Sequence, residues 1–174
     1  MGKKYYFSKK IHVDMFYSFE TFNCKMDNKF RILVPTKFRK DNEELIREGF
    51  IVKRSLSFTC LELYPFSEWK HIMEMICKLN PFDKRSTEFK LLYTAGVKSV
   101  ELDASNRILI PKELVTAGSL SKEVYLIPMG TFYQIWDKDL YEKHLAGNQG
   151  VNLNDEFEDV IGQLGEINNT INNK

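Results

Sequence analysis

A nine-residue phrase occurs twice in this chain: Asp27-Asn28-Lys29-Phe30-Arg31-Ile32-Leu33-Val34-Pro35 returns as Asp103-Ala104-Ser105-Asn106-Arg107-Ile108-Leu109-Ile110-Pro111. Both read D-x-x-x-R-I-L-[VI]-P. The echo continues downstream, where Leu61-Glu62-Leu63-Tyr64-Pro65-Phe66-Ser67-Glu68-Trp69 is answered by Tyr133-Gln134-Ile135-Trp136-Asp137-Lys138-Asp139-Leu140-Tyr141. The length allows one domain or two small ones, and a duplicated unit points to two like halves sharing one core. Between the two matches the first copy carries about four extra residues, which places a loop near Asn42 to Gly49.

At 174 residues, with 43% hydrophobic and 28% charged, the chain can bury a working core without disulfides or metals. Cys24, Cys60 and Cys77 lack C-x-x-C spacing and sit in apolar stretches, as buried thiols do, so a reducing cytoplasm is expected. No run of apolar residues is long enough to span a membrane, and the basic, aromatic start does not have the form of an export signal. Net charge is only +1, but residues 1–54 hold thirteen Lys/Arg against seven Asp/Glu, while residues 148–174 hold five acids against Lys174. That asymmetry points to a polyanion-facing end and an acidic tail.

Alternating Phe22, Cys24 and Met26 predict a strand, Asp27-Asn28 a turn, and Arg31 to Val34 a second strand, together a hairpin. Pro35 opens a basic helix from Thr36 to Arg47, stopped by Gly49. Strands follow at Phe50 to Arg54 and Ser57 to Tyr64. A helix capped by Ser67 then carries Trp69, Ile72, Met73, Ile76 and Leu79 on its apolar face. A helix from Asp83 to Ala95, with Gly96 as its C-cap, bridges the halves. The second half repeats the order with strands at Val97 to Leu102 and Arg107 to Ile110, a short helix from Pro111 to Ala117, strands at Glu123 to Ile127 and Thr131 to Trp136, and a helix capped by Asp137. The expected division is an extension at 1–14, a first repeat at 15–80, the bridge at 81–96, a second repeat at 97–147 and an acidic, Asn-rich tail at 148–174.

No nucleophile elbow, Walker A, dinucleotide fingerprint or zinc-protease motif occurs, and His12, His71 and His144 are scattered. An enzyme, a metal site or a cofactor is therefore not expected. Asp27 and Asp103 each close a turn four residues before an arginine they can pair with. Arg31 and Arg107 carry two readings. A guanidinium forks onto phosphate or guanine edges, as DNA readers require, or it serves only to pin its own turn. Lys29, Lys37, Arg39 and Lys40 crowd the first copy, whereas Ala104 and Ser105 leave the second poorer in cations. Trp69, Trp136, Tyr64, Phe58 and Phe132 suit a core better than stacking platforms. The interleaved Lys3-Lys4-Tyr5-Tyr6-Phe7-Ser8-Lys9-Lys10 suits either a nucleic-acid arm or an unstructured leader.

The doubled D-x-x-x-R phrase, the L-x-L-Y-P-x-x-x-W segment at Leu61 to Trp69, the S-K-E-V-x-L-I stretch at Ser121 to Ile127 and Ile135-Trp136-Asp137 together resemble the MraZ family of bacterial regulators, over Met15 to about Gly147. The resemblance implies an α+β fold of the AbrB/SpoVT swapped-hairpin class, its two copies intertwined into a pseudo-two-fold β-barrel flanked by helices. It also implies ring-shaped homo-oligomers at the nucleoid. Such rings bind short tandem repeats of double-stranded DNA upstream of their own gene and tune a division and cell-wall gene cluster. Carried onto this chain, Lys29, Arg31, Arg39 and Arg107 are DNA-binding candidates, Lys37 joins them from the cations crowding the first copy, and Asp27, Pro35, Asp103 and Pro111 are motif positions of structural importance. Where the family has Gly before each Arg, this chain has Phe30 and Asn106. Phe accepts left-handed backbone only at a cost, so the first turn is expected to differ in shape from the second. Met15 is the family's usual start, which makes 1–14 an extension. The antitoxin-like relatives of this hairpin supply an alternative, a protein-interaction module whose acidic tail holds a partner.

Overall fold

Asp27 and Asp103 bond the backbone ahead of them, and the strands that leave these two turns organise everything else. The computed structural model describes residues 19–149 together with 159, 160 and 163. The arm expected at 1–14 and most of the tail expected at 148–174 lie outside the described residues. The chain divides into two compact units, one ending at Tyr141 and the other beginning at Glu142.

The first half runs β1 (Phe22–Lys25), β2 (Arg31–Leu33), α1 (Thr36–Asp41), α2 (Glu43–Glu48), β3 (Phe50–Arg54), β4 (Leu61–Pro65) and α3 (Phe66–Cys77), followed by α4 (Lys84–Thr94). The second runs β5 (Lys98–Val100), β6 (Arg107–Leu109), α5 (Lys112–Ala117), β7 (Glu123–Pro128), β8 (Tyr133–Asp137) and α6 (Lys138–Gly147). The α+β class expected from the sequence is the one observed, with antiparallel sheets throughout.

Strand pairing departs from the expected hairpins. β1 does not form a ladder with β2; it lies antiparallel to β7 of the other half, with Phe22 opposite Leu126 and Lys25 opposite Glu123. β5 lies correspondingly on β3, Phe50 opposite Val100. The two Arg-Ile-Leu strands pair with each other, Ile32 opposite Ile108 at the centre of the ribbon. The result is a six-stranded sheet in the order β1-β7-β8-β4-β3-β5 and a two-stranded ribbon, β2-β6. Only single bridges, Met26 to Ile32 and Leu102 to Ile108, join the ribbon to the ends of the sheet. The ladders of the described residues therefore do not close into the expected barrel. Each turn leaves its two strands joined by a single bridge, and each of these strands forms its ladder with a strand of the opposite half instead.

Period-two alternation sorts the buried residues onto two faces. Phe50, Val52, Leu61 and Leu63 join Ile32, Ile108 and Phe38 in the main core, while Ile51, Tyr64 and Trp69 form a second cluster on the other face, with Ile72, Met73 and Tyr93 against it. Phe38 anchors the main core, its ring 4.9 Å from Tyr133 and 5.6 Å from Phe22. Truncating a wholly buried Phe of this kind costs about 3–5 kcal/mol.

The single helix expected from Thr36 to Arg47 is two helices broken at Asn42. Its buried side chain donates to the Phe38 carbonyl (2.8 Å) and accepts from the Tyr133 hydroxyl (3.2 Å), and this local bonding competes with the helical path. The extra residues of the first copy thus fold as α2 rather than as a loop, ended by Gly49 at φ 81°. Residues Ser57 to Cys60 bend instead of extending β4, and α3 starts at Phe66 behind Pro65 with no side-chain cap from Ser67. Asp83 does cap α4, accepting from Ser86 N–H at 2.8 Å, and Asp137 caps α6, accepting from Asp139 (3.1 Å) and Leu140 (3.2 Å). Cys24 and Cys60 are buried, which pushes both thiols up to about 12, but Cys77 is exposed at the end of α3. Among the described residues no helix is long and apolar enough to cross a membrane, and no cluster of His, Cys, Asp or Glu could hold a metal.

Candidate nucleic-acid interface

The two D-x-x-x-R turns superpose in their bonding. Asp27 Oδ1 accepts from the backbone of Lys29 (2.8 Å) and Arg31 (3.1 Å), and Asp103 Oδ1 from Ser105 (2.8 Å) and Arg107 (3.0 Å). The other carboxylate oxygen holds the guanidinium: Asp27 Oδ2 lies 2.8 Å from Arg31 Nε and 2.6 Å from Nη2, and Asp103 Oδ2 lies 2.9 Å and 2.8 Å from the same atoms of Arg107. Phe30 and Asn106 both take the left-handed backbone, φ 61° and 60°. The first turn therefore has the same shape as the second, contrary to expectation. The Asp lattice and the cross-strand bond from Ile110 N–H to the Phe30 carbonyl (2.9 Å) dictate that shape, and the Phe30 ring packs against the main core in return.

Because β2 and β6 are neighbours, the two turns meet. Arg107 Nη1 comes within 4.0 Å of Asp27 Oδ2, so Asp27 faces both guanidiniums. Its bonds from Arg31 hold its carboxyl down at about 2, and Arg107 likewise lowers Asp103. Each forked pair fixes a guanidinium plane while leaving N–H donors unspent.

Around this centre the cations are one-sided. Lys29 is exposed and, among the described residues, has no ion pair. Lys37 is also exposed, paired with Glu20. Arg39 bonds Thr36 Oγ1 through Nη2 (3.0 Å), and its buried Nε has no hydrogen-bond partner among the described residues. Lys40 is exposed beside it. At the matching positions of the second copy stand Ser105, Glu113, Val115 and Thr116; Glu113 faces Lys98 at 3.6 Å and Val115 is buried. Pro35 and Pro111 precede α1 and α5 in the same conformation, φ −59° and −54°, and start both helices. The approach of Arg107 to Asp27 has no signature in sequence, since it depends on the register of β2 against β6. Sequence reading passes over Leu33 and Leu109, although alternation from Arg31 and Arg107, which puts them on the same outward face, is a signal that could have found them.

These features define an internally duplicated α+β protein in which strands cross between repeats and two Asp-held arginines meet on a shared ribbon. The family model described as "MraZ protein, putative antitoxin-like" matches residues 18–92 and again 94–164. The chain belongs to the MraZ family. It is 41% identical over 146 residues to a protein named Transcriptional regulator MraZ of Flavobacterium psychrophilum, covering 84% of this chain and 92% of that one. A protein of the same name from Christiangramia forsetii is 40% identical over 144 residues (83% and 90% of the two chains), and one from Cytophaga hutchinsonii 32% over 124 residues (71% and 82%).

Proposed function

We propose that the chain is a cytoplasmic, nucleoid-associated transcriptional regulator that binds double-stranded DNA through Lys29, Arg31, Lys37, Arg39 and Arg107. The observation that carries the reading is the pair of Asp-held guanidiniums side by side on one ribbon, flanked by the exposed cations of α1. A two-stranded ribbon fits the major groove, and a guanidinium held in plane loses little freedom on meeting a guanine edge. Lys29, Lys37 and Arg39 neutralise phosphates on one flank. The swapped-hairpin arrangement of repeats at 15–80 and 97–147, bridged by 81–96, makes one protomer a complete module.

One such module offers few cations and binds weakly. A ring-shaped homo-oligomer engaging short tandem repeats upstream of its own gene raises the effective concentration of each further contact, so regulation of the division and cell-wall cluster rests on avidity. Size-exclusion chromatography with light scattering, with and without the DNA upstream of the chain's gene, tests ring and ligand together. A ring that shifts on adding this DNA is expected. A monomer, or a ring indifferent to it even at low salt, refutes the reading.

A further inference from the structure

Two large apolar side chains stand in the open on the ribbon. Leu33 and Leu109 are 55% and 56% exposed, while their strand neighbours Ile32 and Ile108 are 1% and 2% exposed. The register puts Leu109 opposite Arg31 and Leu33 opposite Arg107. The outward face of β2-β6 is thus a four-cornered patch in which each leucine sits beside an arginine and the pattern repeats about the Ile32–Ile108 centre. Within the patch Asp27 and Asp103 cancel the charge of Arg31 and Arg107. A neutral, half-apolar centre does not attract phosphate. It suits a surface that combines donors with methyl contacts, which is what the floor of the major groove presents at guanine and thymine.

Resting on the DNA-binding reading above, we infer that Leu33 and Leu109 are specificity-determining residues that pack against the C5-methyl groups of two thymines. A second copy of this chain is a poorer occupant. Two half-exposed leucines fall far short of the roughly 1,000 Å² that a stable protein interface clears. The exposed Lys29, two residues before Arg31 in the same turn, is complementary to a polyanion. Diagonal positions on an antiparallel pair lie about 7–8 Å apart, so the two methyl groups belong to thymines about two base steps apart, at a rise of about 3.4 Å per step.

The test uses the full chain and duplexes it enriches from a library with a random core. Each thymidine of an enriched duplex is replaced in turn by deoxyuridine, which removes only the methyl. Affinity is expected to fall about fourfold at each of two thymines, the worth of one buried carbon. Leu33→Ala and Leu109→Ala should each abolish one of these sensitivities while leaving oligomeric state, thermal melt and salt dependence unchanged, and Leu33→Thr, which keeps a methyl, should retain part of its own. Uracil replacement without effect, an equal effect in the alanine variants, or loss of the oligomer in Leu33→Ala would overturn this inference while leaving DNA binding standing. Salt-dependent binding with no enriched sequence would overturn it in the same way. Failure to bind any duplex would overturn both.

Discussion

Phe30 and Asn106 are equivalent residues in left-handed backbone, and each lends its carbonyl to the opposite strand, Phe30 to Ile110 N–H at 2.9 Å and Asn106 to Val34 N–H at 3.0 Å. The pairing of β2 with β6 thus depends on two residues in left-handed backbone. Asn visits this conformation readily; Phe does so at a cost of about 1–2 kcal/mol.

Replacing Phe30 separates that strain from its packing. Phe30→Ala keeps the strain and loses the contact with the core, whereas Phe30→Gly loses the same contact but removes the strain. Gly regains about 1–2 kcal/mol of strain and gives back about 0.5–1 kcal/mol in unfolded-state entropy. Phe30→Gly should therefore be the more stable variant by up to about 1.5 kcal/mol, read from urea melts at one protein concentration.

Acid should weaken the two turns as pH falls below the ordinary carboxylate range. Asp27 sits at about 2, below its ordinary value of 3.8, because Arg31 bonds it, and Asp103 is lowered by Arg107. A carboxylate with a depressed folded pKa contributes stability fully above its unfolded pKa and loses it as pH falls through the folded one. The urea midpoint should decline between about pH 4 and pH 2. Asp27→Asn should flatten part of that decline, Asp103→Asn another part, and the double variant more than either, the cap at Asp83, lowered by its bonds from Ser86, keeping its own share.

What could be read from sequence followed from local chemistry. The Asx turns at Asp27 and Asp103, the Asp137 cap and the Trp69, Ile72 and Met73 face of α3 each depend on residues a few positions apart, and the structure has these. The exchange of β1 and β5 between halves was not legible from periodicity, because alternation gives a strand its faces but not its neighbour. Asn42 reads as a helix residue until Tyr133, 91 positions away, donates to it. At the candidate interface, the residues were visible, but the sharing of Asp27 between two arginines needed the β2-β6 register.

Salt dependence should distinguish cations that meet phosphate from those that do not. Lys29→Ala and Arg39→Ala should each lower the slope of log affinity against log salt by about 0.9, the amount for one phosphate contact released from B-DNA. Lys112→Ala, on the helix of the second repeat, should leave it unchanged, because the second copy replaces the Lys29, Arg39 and Lys40 positions with Ser105, Val115 and Thr116. Anisotropy titrations at four or more salt concentrations supply the slopes. Equal losses on both sides would show that the two repeats contact phosphate alike.

A buried ion pair sits far from the ribbon. Lys53, 1% exposed, donates to Glu62 Oε2 and to the Arg54 carbonyl, both at 2.9 Å, and its ammonium lies 4.4 Å from the centre of the Tyr93 ring. Tyr64 donates to the same Glu62 oxygen at 3.0 Å; burial raises its phenol well above the ordinary range, so it remains a donor. Alternation places Lys53 and Glu62 on the outer face of β3 and β4, where charge is normally solvated, but Tyr93 of α4 covers them. Glu62→Ala leaves an ammonium without its carboxylate in a dry site and should cost about 3–5 kcal/mol. Lys53→Met combined with Glu62→Leu removes both charges and should be no less stable than the parent chain, because the desolvation of the pair disappears with its attraction. Thermal melts of the two variants decide the matter. A double variant as unstable as Glu62→Ala would mean that the pair contributes through its hydrogen bonds to Arg54 and Tyr64 rather than through charge alone.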